Sequence, residues 1–280
     1  MKIEVNNTVL FFDVDGEKYT PDGDVMREKP TLILLHGGPG GDHTAFKPIF
    51  SELTDAVQLI YIDLRGCGRS KRDVAGMDQL AVLAQDIYAF CQALSIVQPV
   101  ILGQSFGGFI ALKFAAMYPK TIGKLVLSST TVKPNLERAC QMFRQLGGEA
   151  AEQAARRYWL APSSDHWDQY KALCLPLYQC KPIDEQMAQR AEPFNVDLCV
   201  QFSKHIQQFD ISDLPAQVRC PTLILAGEKD PITTMQDAIE MHGLFGPNIA
   251  KLARFADAAH GVYKDQPQKC FDCLRQFIRD

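Results

Sequence analysis

Gly103-Gln104-Ser105-Phe106-Gly107 lies between the apolar run Val100-Ile101-Leu102 and a helix-period segment over residues 109–117. Strand, tight turn and helix in that order constrain this chain more than any other stretch. Such a turn drives its middle residue into a strained backbone conformation, turning the Ser105 hydroxyl outward with a helix N-terminus behind it. Glycines two before and two after the serine let strand and helix approach closely. The segment proposes a serine nucleophile. A serine alone reacts poorly; it needs a base to take its proton and a third group to orient that base.

The rest of the chain says where those groups can sit. Residues 8–14, 31–35, 57–62, 100–102, 125–127, 222–225 and 249–255 are short apolar runs. Most lack polar alternation, as strands covered on both faces do. Between them, residues 46–53, 77–94, 109–117, 235–244 and 270–278 carry apolar residues at spacings of three and four, which predicts helices. This alternation predicts an α/β fold: a mostly parallel sheet flanked by helices. Residues 131–212 break the rhythm. They contain no strand-like run, both tryptophans of the chain (Trp159 and Trp167), and prolines at 162, 176, 182 and 193. They read as a helical cap inserted into a core formed by residues 1–130 and 213–280.

In a doubly wound sheet, reactive groups gather at the carboxyl ends of strands. Asp230 lies just past the run Leu223-Ile224-Leu225 and is preferred to its neighbour Glu228 on loop position. Of the six histidines, only His260 follows Asp230 on a strand-exit loop; His242 falls within a helix pattern. The chain order Ser105, Asp230, His260 is the order this architecture uses. Attack on a carbonyl also needs donors for the oxyanion. The Phe106 amide, directly after the serine, is one. Gly38, in His36-Gly37-Gly38-Pro39-Gly40 after the first core strand, is the other.

Composition narrows the partners. A net charge of −4 with scattered Lys and Arg argues against nucleic-acid binding. No apolar run approaches the roughly 20 residues of a membrane-spanning helix, and Met1 to Asn7 lack an export signal's apolar core, so a cytoplasmic location is expected. Nine irregularly spaced cysteines fit free thiols. Cys270-Phe271-Asp272-Cys273 has no second Cys or His pair nearby, so it reads as two helix positions, with no metal expected.

On these residues the chain resembles the α/β-hydrolase superfamily across nearly its whole length. More narrowly, it is similar to the proline iminopeptidase branch of serine peptidases. His36-Gly37-Gly38-Pro39-Gly40-Gly41-Asp42-His43 resembles that branch's H-G-G-P-G oxyanion loop, and Asp63-Leu64-Arg65-Gly66-Cys67-Gly68-Arg69-Ser70 its D-x-R-G-x-G-x-S segment. In the latter, Asp63, Arg65 and Ser70 are expected to hold loops by hydrogen bonds. The resemblance implies an α/β-hydrolase fold with an inserted cap, Ser105 as nucleophile, Asp230 as orienter and His260 as base. It also implies release of N-terminal residues from short peptides, with no cofactor. The branch usually reads G-G-S-W-G or G-G-S-Y-G at the elbow; this chain has Gln104 and Phe106 there. An exopeptidase also needs carboxylates for the substrate's ammonium, and Glu192 is the candidate. A carboxylesterase, lactonase or amidase would carry the same core residues, and a non-catalytic ligand receptor on the same scaffold is a third reading.

Overall fold

Runs of Leu, Ile and Val form the centre of an eight-stranded sheet. The computed structural model describes residues 1–72, 79–182 and 189–280. The strands are β1 (Lys2–Val5), β2 (Thr8–Asp15), β5 (Thr31–Leu35), β6 (Gln58–Asp63), β7 (Val100–Gln104), β8 (Lys124–Ser128), β9 (Thr222–Gly227) and β10 (Ala250–Phe255). A separate hairpin pairs β3 (Tyr19–Asp22) with β4 (Val25–Glu28). The spatial order is β1-β2-β6-β5-β7-β8-β9-β10. Pairing is antiparallel for β1/β2 and β2/β6 and parallel from β6 to β10.

Successive side chains on a strand point to opposite faces, so an unalternating apolar run feeds two cores. Ile33, Leu35, Ile101, Leu125, Leu127 and Ile224 pack on one face, under α1 (Leu80–Ala93) and α2 (Phe106–Met117). Leu32, Leu34, Leu102, Val126, Leu223 and Leu225 pack on the other, against α8 (Pro267–Arg279).

Between β8 and β9 the described residues form helices α3 (Leu136–Leu160), α4 (Ser164–Leu173) and α5 (Val196–Ser203), with no strand among them. They have a core of their own, including Phe143, Tyr158, Trp167 and Tyr170. Helix α6 (Met235–Gly243) follows β9, and the short α7 (Val262–Asp265) precedes α8.

Two expectations need correction. Residues 46–53 do not form an α-helix; only a 3-10 turn at Ile49–Leu53 appears. Pro48 has no N–H and disfavours helical backbone at the residue before it. Phe46, Phe50 and Leu53 are still fully buried, so their spacing reported burial correctly. Helix α2 begins at Phe106, three residues earlier than its apolar pattern suggests. Gly107 and Gly108 carry no apolar signal, and they are glycines because a Cβ there would collide with Leu35 and Thr130. Strands β1, β3 and β4 were not anticipated; the hairpin strands are largely exposed and carry no core signal. Of the segment expected to be helical from residue 77, Met77 and Asp78 lie outside the described residues. No described helix is long and apolar enough to cross a membrane.

Candidate active site

Strand β5 has β6 on one side and β7 on the other, so the loops leaving β5 and β7 diverge and open a crevice at their carboxyl ends. Ser105 occupies the β7 exit with φ 52° and ψ −118°. A non-glycine residue at positive φ of this kind costs about 1–3 kcal/mol and persists only where its surroundings impose it. Here they do. The Ser105 amide donates to Ser128 O at 3.0 Å, and Ser105 O accepts from Thr130 Oγ1 and from the Gly108 amide, each at 2.8 Å. A Cβ on Gly103 would strike the Gly107 backbone, and one on Gly107 would strike the backbone of Leu35 and His36.

Asp230 follows β9 and is fully buried. Its Oδ1 accepts from the amides of Ile232 at 3.0 Å and Thr233 at 2.9 Å, and its Oδ2 from Thr233 Oγ1 at 2.8 Å. His260, after β10, places Nδ1 2.9 Å from Oδ2 and 3.1 Å from Oδ1. A carboxylate only accepts hydrogen bonds, so Nδ1 is the nitrogen that donates to Asp230, and in the neutral imidazole the lone pair then sits on Nε2. The reciprocal cap between Thr234 and Asp237 at the start of α6 fixes where the Asp230 loop ends. Glu228 is exposed, and His242 Nε2 lies 3.1 Å from Ala250 O, away from this cluster.

The main chain of His260 is held on both sides. Its amide donates to Tyr178 O at 2.9 Å, and its carbonyl accepts from Gln104 Nε2 at 2.9 Å. Gln104 Oε1 in turn accepts from the Tyr263 hydroxyl at 2.9 Å. The Tyr178 ring packs edge-on against the imidazole at 4.8 Å.

The loop after β5 faces Ser105 through Gly37, where a Cβ would lie 3.2 Å from Ser105 Cβ. Gly38 has φ 121° and lines the cavity that Ser105 opens into. Among the described residues, neither the Gly38 amide nor the Phe106 amide donates to a protein acceptor. His36 anchors the loop: Nδ1 lies 2.7 Å from Gly37 O, and Nε2 accepts from the Leu64 amide at 3.1 Å. Burial lowers the His36 pKa, outweighing the nearby Asp63 carboxylate. Asp63 accepts from the His43 amide at 2.8 Å and the Arg69 amide at 2.9 Å. Burial alone would raise its pKa, but these bonds and His43 and His36 bring it below the usual carboxylate value. Arg65 pairs with buried Asp86, and Ser70 links Asp63 O to the Phe11 amide, so all three motif residues hold loops.

Ser105, His260 and Gly38 line one cavity of about 340 Å³. The segment between β8 and β9 supplies much of its wall, including Trp159, Trp167, Tyr170, Tyr178 and Phe194. Trp167 and Phe194 stack at 5.0 Å, and the Tyr170 and Tyr178 hydroxyls are 2.6 Å apart. Glu192 is not in that wall. Its carboxylate pairs with Arg69 Nε at 3.1 Å, and its amide donates to Asp42 Oδ2 at 2.6 Å. Of the other acids between residues 131 and 212, Asp184 and Glu185 lie outside the described residues. Among the described residues, no cluster of His, Cys, Asp or Glu is arranged to hold a metal, and Cys270 and Cys273 are free thiols on α8. Sequence reasoning missed Gln104 and Tyr178 as neighbours of His260. The only signal for Tyr178 was the aromatic richness of its segment.

A family model described as alpha/beta hydrolase fold matches residues 30–267. The AB hydrolase superfamily protein YisY of Bacillus subtilis is 25% identical over 273 residues, 91% of this chain and 93% of that protein. A proline iminopeptidase of Lactobacillus helveticus is 36% identical over 114 residues, 39% of this chain and 38% of that enzyme. Among solved structures, an esterase from Exiguobacterium antarcticum superposes with a TM-score of 0.73 at 18% identity, covering 100% of this chain and 99% of the esterase. The eight-stranded sheet, the strained serine turn and the match over residues 30–267 agree: this chain belongs to the alpha/beta hydrolase fold family.

Proposed function

We propose that this protein is a serine hydrolase that works through an acyl-enzyme on a small ester or lactone. The observation that carries the reading is the buried Asp230–His260 pair, 2.9 Å apart, opening onto the same cavity as Ser105. His260 Nε2 takes the Ser105 proton as Oγ bonds to the substrate carbonyl carbon. The carbonyl oxygen gains the negative charge and is met by the Phe106 and Gly38 amides. The tetrahedral species collapses, the bond to the leaving group breaks, and His260 gives that group its proton. Water, activated by His260, then adds to the acyl-enzyme and releases the acid. Buried Asp230 stabilises the imidazolium that forms twice in the cycle. The helices between β8 and β9 act as a cap that closes an aromatic wall over the acyl site.

A fluorophosphonate probe tests the reading. Labelling of the wild type on Ser105, with none in Ser105→Ala, is the expected result. A protein that binds ligands but is neither labelled nor able to cleave p-nitrophenyl acetate would be a receptor.

A proline iminopeptidase-like aminopeptidase is the second reading, favoured by the 36% identity over 114 residues with the Lactobacillus enzyme. Against it stands the cavity wall. Its described carboxylate, Asp42, already accepts from the amides of Thr44 and Glu192, and Glu192 itself turns to Arg69. Comparing proline β-naphthylamide with p-nitrophenyl acetate separates the readings.

A further inference from the structure

Besides Asp42, Lys264 is the described residue of the cavity wall whose side chain carries a formal charge. It sits on α7, four residues after His260, and its stem folds back over Gly261. A Cβ on that glycine would lie 3.3 Å from Lys264 Cδ and 3.5 Å from Cγ. The lysine stem is therefore packed on the loop that carries His260.

Its ammonium lies over the Tyr263 ring, 5.8 Å from the centroid, and has no hydrogen-bond acceptor and no carboxylate in ion-pair range among the described residues. Adjacent Asp265 does not serve. Its Oδ1 accepts from the amides of Cys180 at 2.7 Å and Lys181 at 3.2 Å, and its Oδ2 from the Ala259 amide at 2.8 Å. Other shielded lysines are treated differently. Lys29 bonds Thr54 O at 2.7 Å, Lys47 pairs with Asp15 at 2.8 Å, and Lys124 donates to Phe277 O and Ile278 O, both at 2.8 Å. Burial lowers the Lys264 pKa, and the Asp265 charge offsets only part of that. At 5.8 Å a ring face compensates a half-buried cation only weakly, and a bound anion relieves what is left.

We propose that Lys264 anchors a carboxylate on the substrate, so that the preferred ester or lactone is an anionic one. The inference rests on the serine-hydrolase reading and adds a charge preference to it. The aromatic wall holds the substrate's apolar body, Ser105 meets its carbonyl, and Lys264 takes the charged end. An α-ammonium substrate would instead meet a cation beside His260.

Two ester pairs test this, placing the charge on either side of the scissile bond. One is 4-acetoxybenzoate against its methyl ester; the other is the mono-p-nitrophenyl ester of adipic acid against the same compound methylated at its free acid. Wild type is expected to prefer the anion in at least one pair, measured as the kcat/KM ratio. Lys264→Met should cut that ratio by about tenfold or more, the scale of one hydrogen bond to a charged group. Lys264→Arg should restore much of it. Fluorophosphonate labelling of Lys264→Met at Ser105 checks that the site is assembled.

Turnover of the neutral esters with no anionic preference in either pair overturns the inference and leaves the serine-hydrolase reading standing. A preference that Lys264→Met leaves intact does the same. Faster cleavage of proline β-naphthylamide than of either anion overturns it in favour of the aminopeptidase. No cleavage of any ester and no labelling of Ser105 overturns the underlying reading itself.

Discussion

The side-chain amide of Gln104 donates to the main-chain carbonyl of His260 at 2.9 Å. The residue before Ser105 is thus bonded directly to the loop that carries the proposed base, and the Tyr263 hydroxyl completes the link on the other side of the amide. Gln104→Leu keeps the volume and removes both bonds, leaving the buried His260 carbonyl unpaired and the Tyr263 hydroxyl only its longer bond to Ala45 O at 3.3 Å. Leaving such a buried group unpaired costs about 1–3 kcal/mol. The expected outcome is a kcat lower by about tenfold to a hundredfold, with a smaller change in KM. Steady-state kinetics on p-nitrophenyl acetate read it, and a thermal melt separates lost positioning from lost folding.

Asp230→Asn tests the proposed base. The amide can offer a donor where the carboxylate only accepts, which favours the wrong His260 tautomer. Loss of a triad member costs on the order of a thousandfold or more in turnover. Activity within tenfold of wild type would remove Asp230 from the mechanism. Crystallography or a melting curve should find the fold retained.

His36 makes stability fall with acid. Its folded pKa is depressed by burial, and its Nε2 must stay unprotonated to accept from the Leu64 amide. An unfolded histidine titrates near about 6.5. Above that pH both states are neutral and the contribution is complete. Below it the unfolded state takes up the proton first, so stability drops as pH falls towards the folded pKa. His36→Gln keeps an acceptor and does not titrate. Urea unfolding from pH 8 to pH 5 should show a shallower decline in the variant; an equal decline removes His36 as a source.

Asp265 joins the segment between β8 and β9 to the His260 loop through the amides of Cys180, Lys181 and Ala259. Asp265→Ala strands the buried Ala259 amide and frees the part-buried amides of Cys180 and Lys181. A destabilisation of about 1–3 kcal/mol is expected. Hydrogen exchange should rise most at Ala259 and Cys180. Protection unchanged at both amides would show that the carboxylate does not hold them.

What was legible beforehand follows from locality. Apolar runs without alternation report strands buried on both faces, and glycines spaced about a serine report a crowded strand-to-helix turn. Ser105, Asp230 and His260 could be placed because each ends such a run. The failed helix at residues 46–53 is local too, since Pro48 outweighs a spacing that still buried Phe46 and Phe50.

The sequence by itself determined the fold family, the parallel sheet and the order in which its reactive loops arrive. Only the tertiary structure decided what the polar side chains do there. It turned Glu192 to Arg69, gave Gln104 two partners more than 150 residues away, and occupied Asp265 with backbone amides while leaving Lys264 no carboxylate partner among the described residues. The physical reason is range. Strand and helix signals arise from neighbours a few residues apart, whereas a charge finds its partner across the fold, and nothing in local periodicity encodes that distance.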